Sequence, residues 1–286
     1  TGGYGDTTAE DCWAIIATEQ PNSSRVNHVV LRHLVQTLRQ SHLPRHEELY
    51  PRLLTTIGSN PDGLARQMNS QGFQQSLHVP GGMESGFGLL TPFGLLPSAF
   101  LGLDCIQLLV GAAAINENLC RAPFSENLVL RFVAGNLARD ERSGHSQGKS
   151  VFSFWSRSLA HFGDWMRKVQ PSPSGCNGSV RSWAGHEVAT EDRGIEICNH
   201  FAVQSVRTDP LLDSSGQNTD GAEDSPTLPD LQDASIETVR RALAGRGIRQ
   251  NTITLPVIDT HSLGQLIQLT LLTSAIRAVV EPSAEA

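Results

Sequence analysis

The sequence predicts an α/β protein in which a mainly parallel sheet is covered by helices. Three observations predict it. Short β-branched or apolar runs alternate with longer segments of helical period. The stretches between them carry Gly, Pro, Asn and Ser. The 286 residues, 39% hydrophobic and 18% charged, suffice to bury a core. Strands alternating with helices place the crossovers on the faces of a parallel sheet.

Thr1–Asp6 is glycine-rich, and Thr7–Thr18 is expected to start a helix. Over Val26–Gln40, apolar residues at Val26, Val29, Val30, Leu34, Val35 and Leu38 follow a helical period. Leu53–Ile57 reads as a strand that runs into a Gly58–Gly63 turn and then a helix around Leu64–Gln71. Leu77–Val79 is a further short strand, broken by Pro80-Gly81-Gly82. From Leu95 to Leu119 the pattern is helical and apolar. Ser125 is expected to cap a helix through Leu137, with Glu126 in its first turn favoured by the dipole. The polar stretch Arg139–Lys149 places a boundary that divides the chain into domains 1–146 and 147–286.

In the second part, Ser150–Trp155 reads as a strand. Ser158–Lys168 reads as a helix with Leu159, Phe162, Trp165 and Met166 on one face. Val169–Thr190 is irregular, Ile197–Val206 a strand and Asp213–Pro229 a polar loop. Leu231–Leu243 is a helix followed by Gly245 and Gly247. Thr252–Val257 is a β-branched strand, and Ser262 is expected to cap a last helix to Val280.

The net charge is −7 and no basic stripe appears, which argues against a nucleic-acid partner. Five cysteines without a Cys-x-x-Cys pair offer no zinc site or disulfide framework; reduced, mostly buried thiols fit a cytoplasmic protein. No amino-terminal stretch reads as a signal peptide. Phe87–Ala114 and Leu263–Val280 are apolar, but Pro92, Pro97 and Asp104 interrupt the first, and Gln265, Gln268 and Arg277 the second. Both are expected to be core segments and not membrane spans.

Four stretches together resemble glucose-6-phosphate isomerases. Leu89–Asp104 resembles that family's Val-Leu-Thr-Pro-Val-Gly-Leu-Leu-Pro-Ala-Ala segment, and Leu109–Pro123 continues it. Phe162-Gly163-Asp164-Trp165 resembles its Phe-Ala-Asp-Trp. Leu255–Asp259 with Ser262–Leu266 resembles its Leu-Pro-Glu-Ile-Asp and Leu-Gly-Gln-Leu. The match runs in order over most of residues 7–280, with a gap near Pro171–Thr190. The resemblance implies two sugar-isomerase (SIS) domains, the first shortened at its amino-terminal side and the second at its carboxy-terminal side. It also implies a homodimer acting on a sugar phosphate in glycolysis and gluconeogenesis.

Interconverting an aldose phosphate and a ketose phosphate requires a phosphate grip, an acid–base group to open the ring, a base that moves a carbon-bound proton, and charge or donors beside the enediolate. No metal and no cofactor is called for. By resemblance, Thr7, Thr8 and Glu10 fall at the end of the family's phosphate loop, while Gly3 and Tyr4 take the places of its first Ser and its Lys. Threonines at a helix start suit an anion, and equally a plain cap. The family's enediolate-stabilising arginine aligns with Gly86, and its glutamate base with Ser172 between Pro171 and Pro173. Serine cannot abstract such a proton without an activating base of its own. Codons for Gln170–Gly175 read two bases on can spell the family's Ala-Glu-Ser-Leu-Gly, so a local frameshift would account for the replaced motif. His186 is the nearest candidate for the ring-opening histidine, with Glu187, Glu191 and Asp192 close by in sequence; an exposed loop histidine among solvated charges is the plain alternative. His200 falls in a strand and reads as structural, and His161 faces out of its helix. The expected outcome is a glucose-6-phosphate isomerase scaffold with impaired turnover; the alternative is a non-catalytic sugar-phosphate binder or a decayed remnant.

Overall fold

A computed structural model describes residues 15–18, 25–40, 54–58, 75–80, 83, 86–137, 149–169, 182–183, 195–204 and 228–280. The chain divides into two compact units, Thr1–Leu103 and Asp104–Ala286.

In the first unit, β1 (Ile15–Thr18), β2 (Leu54–Gly58) and β3 (Gln75–His78) form a parallel sheet in the order β1-β2-β3. Ile15 pairs with Leu54, and Thr55 with Gln75. Residues 15–18 are therefore strand, where a helix was expected over Thr7–Thr18. Ile15, Ile16 and Thr18 are β-branched, stiff at χ1 and suited to a pleated surface. Helix α1 (Arg25–Gln40) follows β1. Its buried row is Leu31 and Val35, whereas Val29 and Val30 are exposed. The period expected for it holds, but the buried stripe is rotated away from Val29 and Val30. Helix α2 (Pro92–Phe100) closes the unit, with Thr91 as N-cap and proline at N1.

The second unit opens with α3 (Cys105–Arg121) and α4 (Leu128–Leu137). The apolar stretch expected as one helix over Leu95–Leu119 is thus two, parted at Leu101–Asp104. Asp104 supplies the break by capping α3, accepting from Ile106 N at 3.1 Å and Gln107 N at 3.0 Å. Helix α4 starts later than expected. The cap is Asn127, whose Oδ1 accepts from Leu130 N at 3.0 Å, and not Ser125.

The second sheet comprises β4 (Lys149–Phe154), β5 (Ser182–Trp183), β6 (Ile195–Val203) and β7 (Arg249–Leu255), all parallel, in the order β5-β4-β6-β7. Helices α5 (Ala160–Val169), α6 (Leu228–Gly245) and α7 (Thr260–Val280) complete it. β6 is central and buried along almost its whole length, as a parallel strand covered on both faces should be. On one face Val151 and Cys198 pack with Val239 and Leu243 of α6. On the other, Phe201 stacks on Phe154 with ring centroids 4.8 Å apart and meets Phe132 of α4 and Phe162 of α5 edge-on or tilted. Leu159, Phe162 and Met166 are buried, as the expected helical face requires, and Trp165 is half-buried beside Phe162.

Helices α3 and α4, which precede the stretch Arg139–Lys149, both pack on α7, which follows it. Two glycines let α3 and α7 approach closely. A Cβ on Gly111 would collide with the His261 carbonyl, and one on Gly264 with the Leu108 carbonyl. The two backbones touch there with no side chain between them. Helix α7 is long and apolar enough to cross a membrane by length and composition. Here it lies on α3 and α4, with Leu266, Ile267 and Leu269 buried. Its N-cap is Asp259, which accepts from Ser262 N at 2.7 Å, while Ser262, expected as the cap, is buried in the first turn.

Candidate functional site

In open parallel sheets, chemistry collects beyond the carboxyl ends of the strands, where the strand order reverses. In the second unit the chain passes from β4 outward to β5, then back across β4 to β6. The reversal lies between β4 and β6, whose ends are tied together: Trp155 N donates to Phe201 O at 2.9 Å, and Gln204 N donates to Leu255 O of β7 at 2.9 Å. Gln232 of α6 donates to the Trp155 carbonyl at 3.0 Å. Ser153 Oγ is fully buried near this end, with no hydrogen-bond partner among the described residues.

His200 lies directly below. Trp155 Nε1 donates to His200 Nδ1 at 3.2 Å. An indole N–H only donates, so Nδ1 is the acceptor and Nε2 carries the proton. That proton faces Gln250 Oε1 at 3.1 Å, and Gln250 Nε2 donates to the Arg240 carbonyl at 2.8 Å. Burial lowers the His200 pKa below 6.5, against the opposing pull of the Gln250 hydrogen bond, and the Arg240 charge lowers it further. Burial also pushes the neighbouring Cys198 thiol up to about 12. The histidine is neutral with both nitrogens engaged, and the cysteine is a thiol. Neither is a base or nucleophile as it stands, and His200 is structural. His161 is exposed on α5.

A second polar set ties α4 to the sheet. Asn199 Nδ2 donates to Asn136 Oδ1 at 2.8 Å and Ser150 Oγ at 3.2 Å, and Asn251 Nδ2 donates to Asn199 Oδ1 at 2.9 Å. These amides satisfy one another across β4, β6 and β7, which is a positioning role. Among the described residues no three His, Cys, Asp or Glu side chains group as metal ligands.

In the first unit, β2 and β3 end together, with Val79 N donating to Gly58 O at 3.0 Å. Gly86 then takes φ 106° and ψ −19° ahead of a 3-10 turn at Phe87–Leu90. The left-handed region suits glycine and strains any residue with a Cβ. Thr91 Oγ1 locks the turn by donating to Gly88 O at 2.6 Å. Gly86 is the candidate-site position that the described residues contain. Thr7, Thr8, Ser172 and His186 lie outside them, as do Glu10, Glu187, Glu191 and Asp192.

The second unit holds a cavity of about 440 Å³ beside β7. Thr252 and Thr254 of β7, Arg131 and Phe132 of α4, and Gln265 and Leu266 of α7 are among its lining residues. This volume is in the range of small-ligand pockets. The sequence reading missed it. The signal available was Arg131, the lone charge in the apolar helix Leu128–Leu137.

No protein-family model matches the chain. Curated relatives do match, at low identity. A glucose-6-phosphate isomerase of Clostridium tetani is 22% identical over 239 residues, 77% of this chain and 51% of that protein. One of Rubrobacter xylanophilus is 24% identical over 229 residues, 75% of this chain and 52% of that protein. One of Thermus thermophilus is 26% identical over 206 residues, covering 66% and 48%. The chain spans about half the length of these relatives. Among solved structures, a Thermus thermophilus protein described as hypothetical aligns with TM-score 0.71 at 21% identity, over 94% of this chain and 66% of that one. A glucose-6-phosphate isomerase of Chlamydia trachomatis aligns with TM-score 0.66 at 13% identity, over 94% and 55%. The parallel sheets flanked by helices are therefore those of glucose-6-phosphate isomerase-like proteins, to which the sequence is related at low identity.

Proposed function

We propose that this chain is a glucose-6-phosphate isomerase-type polypeptide whose own turnover between glucose 6-phosphate and fructose 6-phosphate is weak or absent. The relationship to curated isomerases over some three quarters of the chain supports the lineage. The observation that carries the loss of turnover is Gly86. The reaction passes through an enediolate that needs a cation or donors in place before charge develops. The residue aligned with the family's arginine is a glycine in the left-handed region, at φ 106°. The backbone there is shaped for a residue without a side chain. Losing such a charge is worth about 3–4 kcal/mol of transition-state stabilisation, the scale of one oxyanion donor.

In this reading Thr7 and Thr8 grip the phosphate, His186 stands where ring opening needs an acid–base group, and Ser172 takes the position of the proton-moving glutamate. The protein is cytoplasmic and pairs as a homodimer. The test is a coupled isomerase assay on the purified 286-residue chain, alongside calorimetric titration with fructose 6-phosphate. Binding with turnover at least a hundredfold below an authentic isomerase is the expected result. A normal rate refutes the impairment. The titration and assay together also bear on the second reading, a non-catalytic sugar-phosphate binder or decayed remnant, which Gly86 also favours: binding with no measurable turnover supports the binder, and neither binding nor turnover leaves the remnant.

A further inference from the structure

We infer that the outer edge of β7 and the cavity beside it form a docking site for one short extended peptide carrying a carboxylate. The inference stands apart from the isomerase reading and rests on the second unit alone. The Leu255 carbonyl accepts from Gln204 N, just past the end of β6, at 2.9 Å. Backbone groups alternate in direction along a strand, so those of Thr252 and Thr254 point away from β6. β7 is last in the sheet order, and among the described residues no strand pairs with that outer edge. Its seven residues contain no proline, and its one charge, Arg249, stands at its start, away from Thr252 and Thr254. An open edge of this kind pairs with an added strand, main chain to main chain.

The cavity supplies the remainder of the site. Its lining mixes apolar side chains, Phe132, Leu266 and Leu269 among them, with polar ones such as Asn251 and Gln265, and can take the side chains that alternate inward from an added strand. Arg131 is the one charge among the lining residues. It is exposed, and no ion pair found among the described residues involves it. A guanidinium beside this cavity and a strand edge that no described strand pairs selects a carboxylate on an extended peptide, which it meets as a two-pronged pair. The chain as a whole carries −7, so this cation is set against the overall charge.

The test uses the full chain, labelled with 15N, and the acetylated tetrapeptide valine-threonine-valine-glutamate. Expected are shifts of the Thr252 and Thr254 amide signals, at least tenfold slower hydrogen exchange at both, and at least fivefold weaker binding to Arg131→Gln. Arg131 is exposed, so that variant retains the fold. A twin peptide N-methylated at alternate amides should bind at least tenfold more weakly. The proposal falls if the tetrapeptide does not bind, or if the methylated twin binds equally. It also falls if free glutamate or inorganic phosphate at equal concentration reproduces the shifts, which marks a simple anion site. Strong exchange protection at Thr252 and Thr254 in the free chain overturns it too: protection independent of protein concentration means another part of the chain covers the edge, and protection lost on dilution means a second copy does.

Discussion

Gly264→Ala tests the contact that organises the second unit. In an ordinary helix, alanine in place of glycine stabilises by about 1 kcal/mol, because glycine loses more backbone freedom on folding. Here the added Cβ would collide with the Leu108 carbonyl and lie 2.8 Å from its carbon and 3.1 Å from its Cα. These are backbone atoms of α3, not the yielding tip of a side chain, so relief requires the two helices to part. A gap of about 0.5–1 Å forfeits a quarter to a half of each van der Waals well along the interface. Overpacking of this kind costs about 1–3 kcal/mol, and the upper end applies where neither backbone can move locally. Subtracting the helical gain leaves a net loss of about 2 kcal/mol, or a melting temperature lower by about 4–8 °C for a unit of this size. Thermal and urea denaturation followed by circular dichroism measures it. Gly245→Ala is the control, since a Cβ there meets nothing within 4 Å; it should hold or raise stability. Gly111→Ala should behave like Gly264→Ala, and the double variant should cost less than their sum, because one parting of the helices accommodates both. If Gly264→Ala melts at or above the temperature of the unmutated chain, as the control should, the close crossing of α3 and α7 is wrong.

Four further outcomes follow from the same geometry. Ser153→Ala should stabilise by up to about 1 kcal/mol, since a buried hydroxyl with no partner among the described residues is removed, and denaturant midpoints will show it. His200 has a folded pKa held below its unfolded 6.5, so the unfolded chain binds the proton first as pH falls. Its contribution is therefore complete above about pH 6.5 and is lost as pH falls toward the folded pKa; His200→Gln should flatten that part of the stability–pH profile. Asp259→Ala should cost about 1 kcal/mol by uncapping α7, and because the Ser262 backbone hydrogen bond holds the Asp259 pKa low, this loss should shrink as pH drops below 3.8. Gly86→Arg should cost about 1–2 kcal/mol for a side chain forced to φ 106°, and it should not by itself restore isomerase turnover, because in the proposed reading Ser172 still stands where the proton-moving glutamate is needed; melting and the coupled assay read the two together.

Most elements were legible in the sequence because their cause is local. Phe152 and Phe154 lie in a run read as a strand over Ser150–Trp155, the strand read over Ile197–Val206 is found at Ile195–Val203, and Leu159, Phe162 and Met166 recur at helical spacing. The ends of elements were less legible, because a cap is decided by which of several polar residues reaches a free N–H. Asn127 prevails over Ser125, and Asp259 over Ser262. Of the candidate site, the resemblance aligns Gly86 with the family's arginine, but no local pattern shows that the backbone there is left-handed.

By itself the sequence determined the α/β class, the alternation of strands and helices, and the kinship with sugar-phosphate isomerases, since these rest on periodicity and on motifs that run in order along the chain. Only the tertiary structure decided that α3 and α4 belong with the unit beyond Asp104, that His200 is a neutral structural group held between Trp155 and Gln250, and that β7 is the last strand of its sheet among the described residues, with Arg131 lining the cavity beside it. Each of these depends on residues far apart in the chain. Contacts such as Gly111 against His261 arise only when separate helices close on one another, and no local pattern records them.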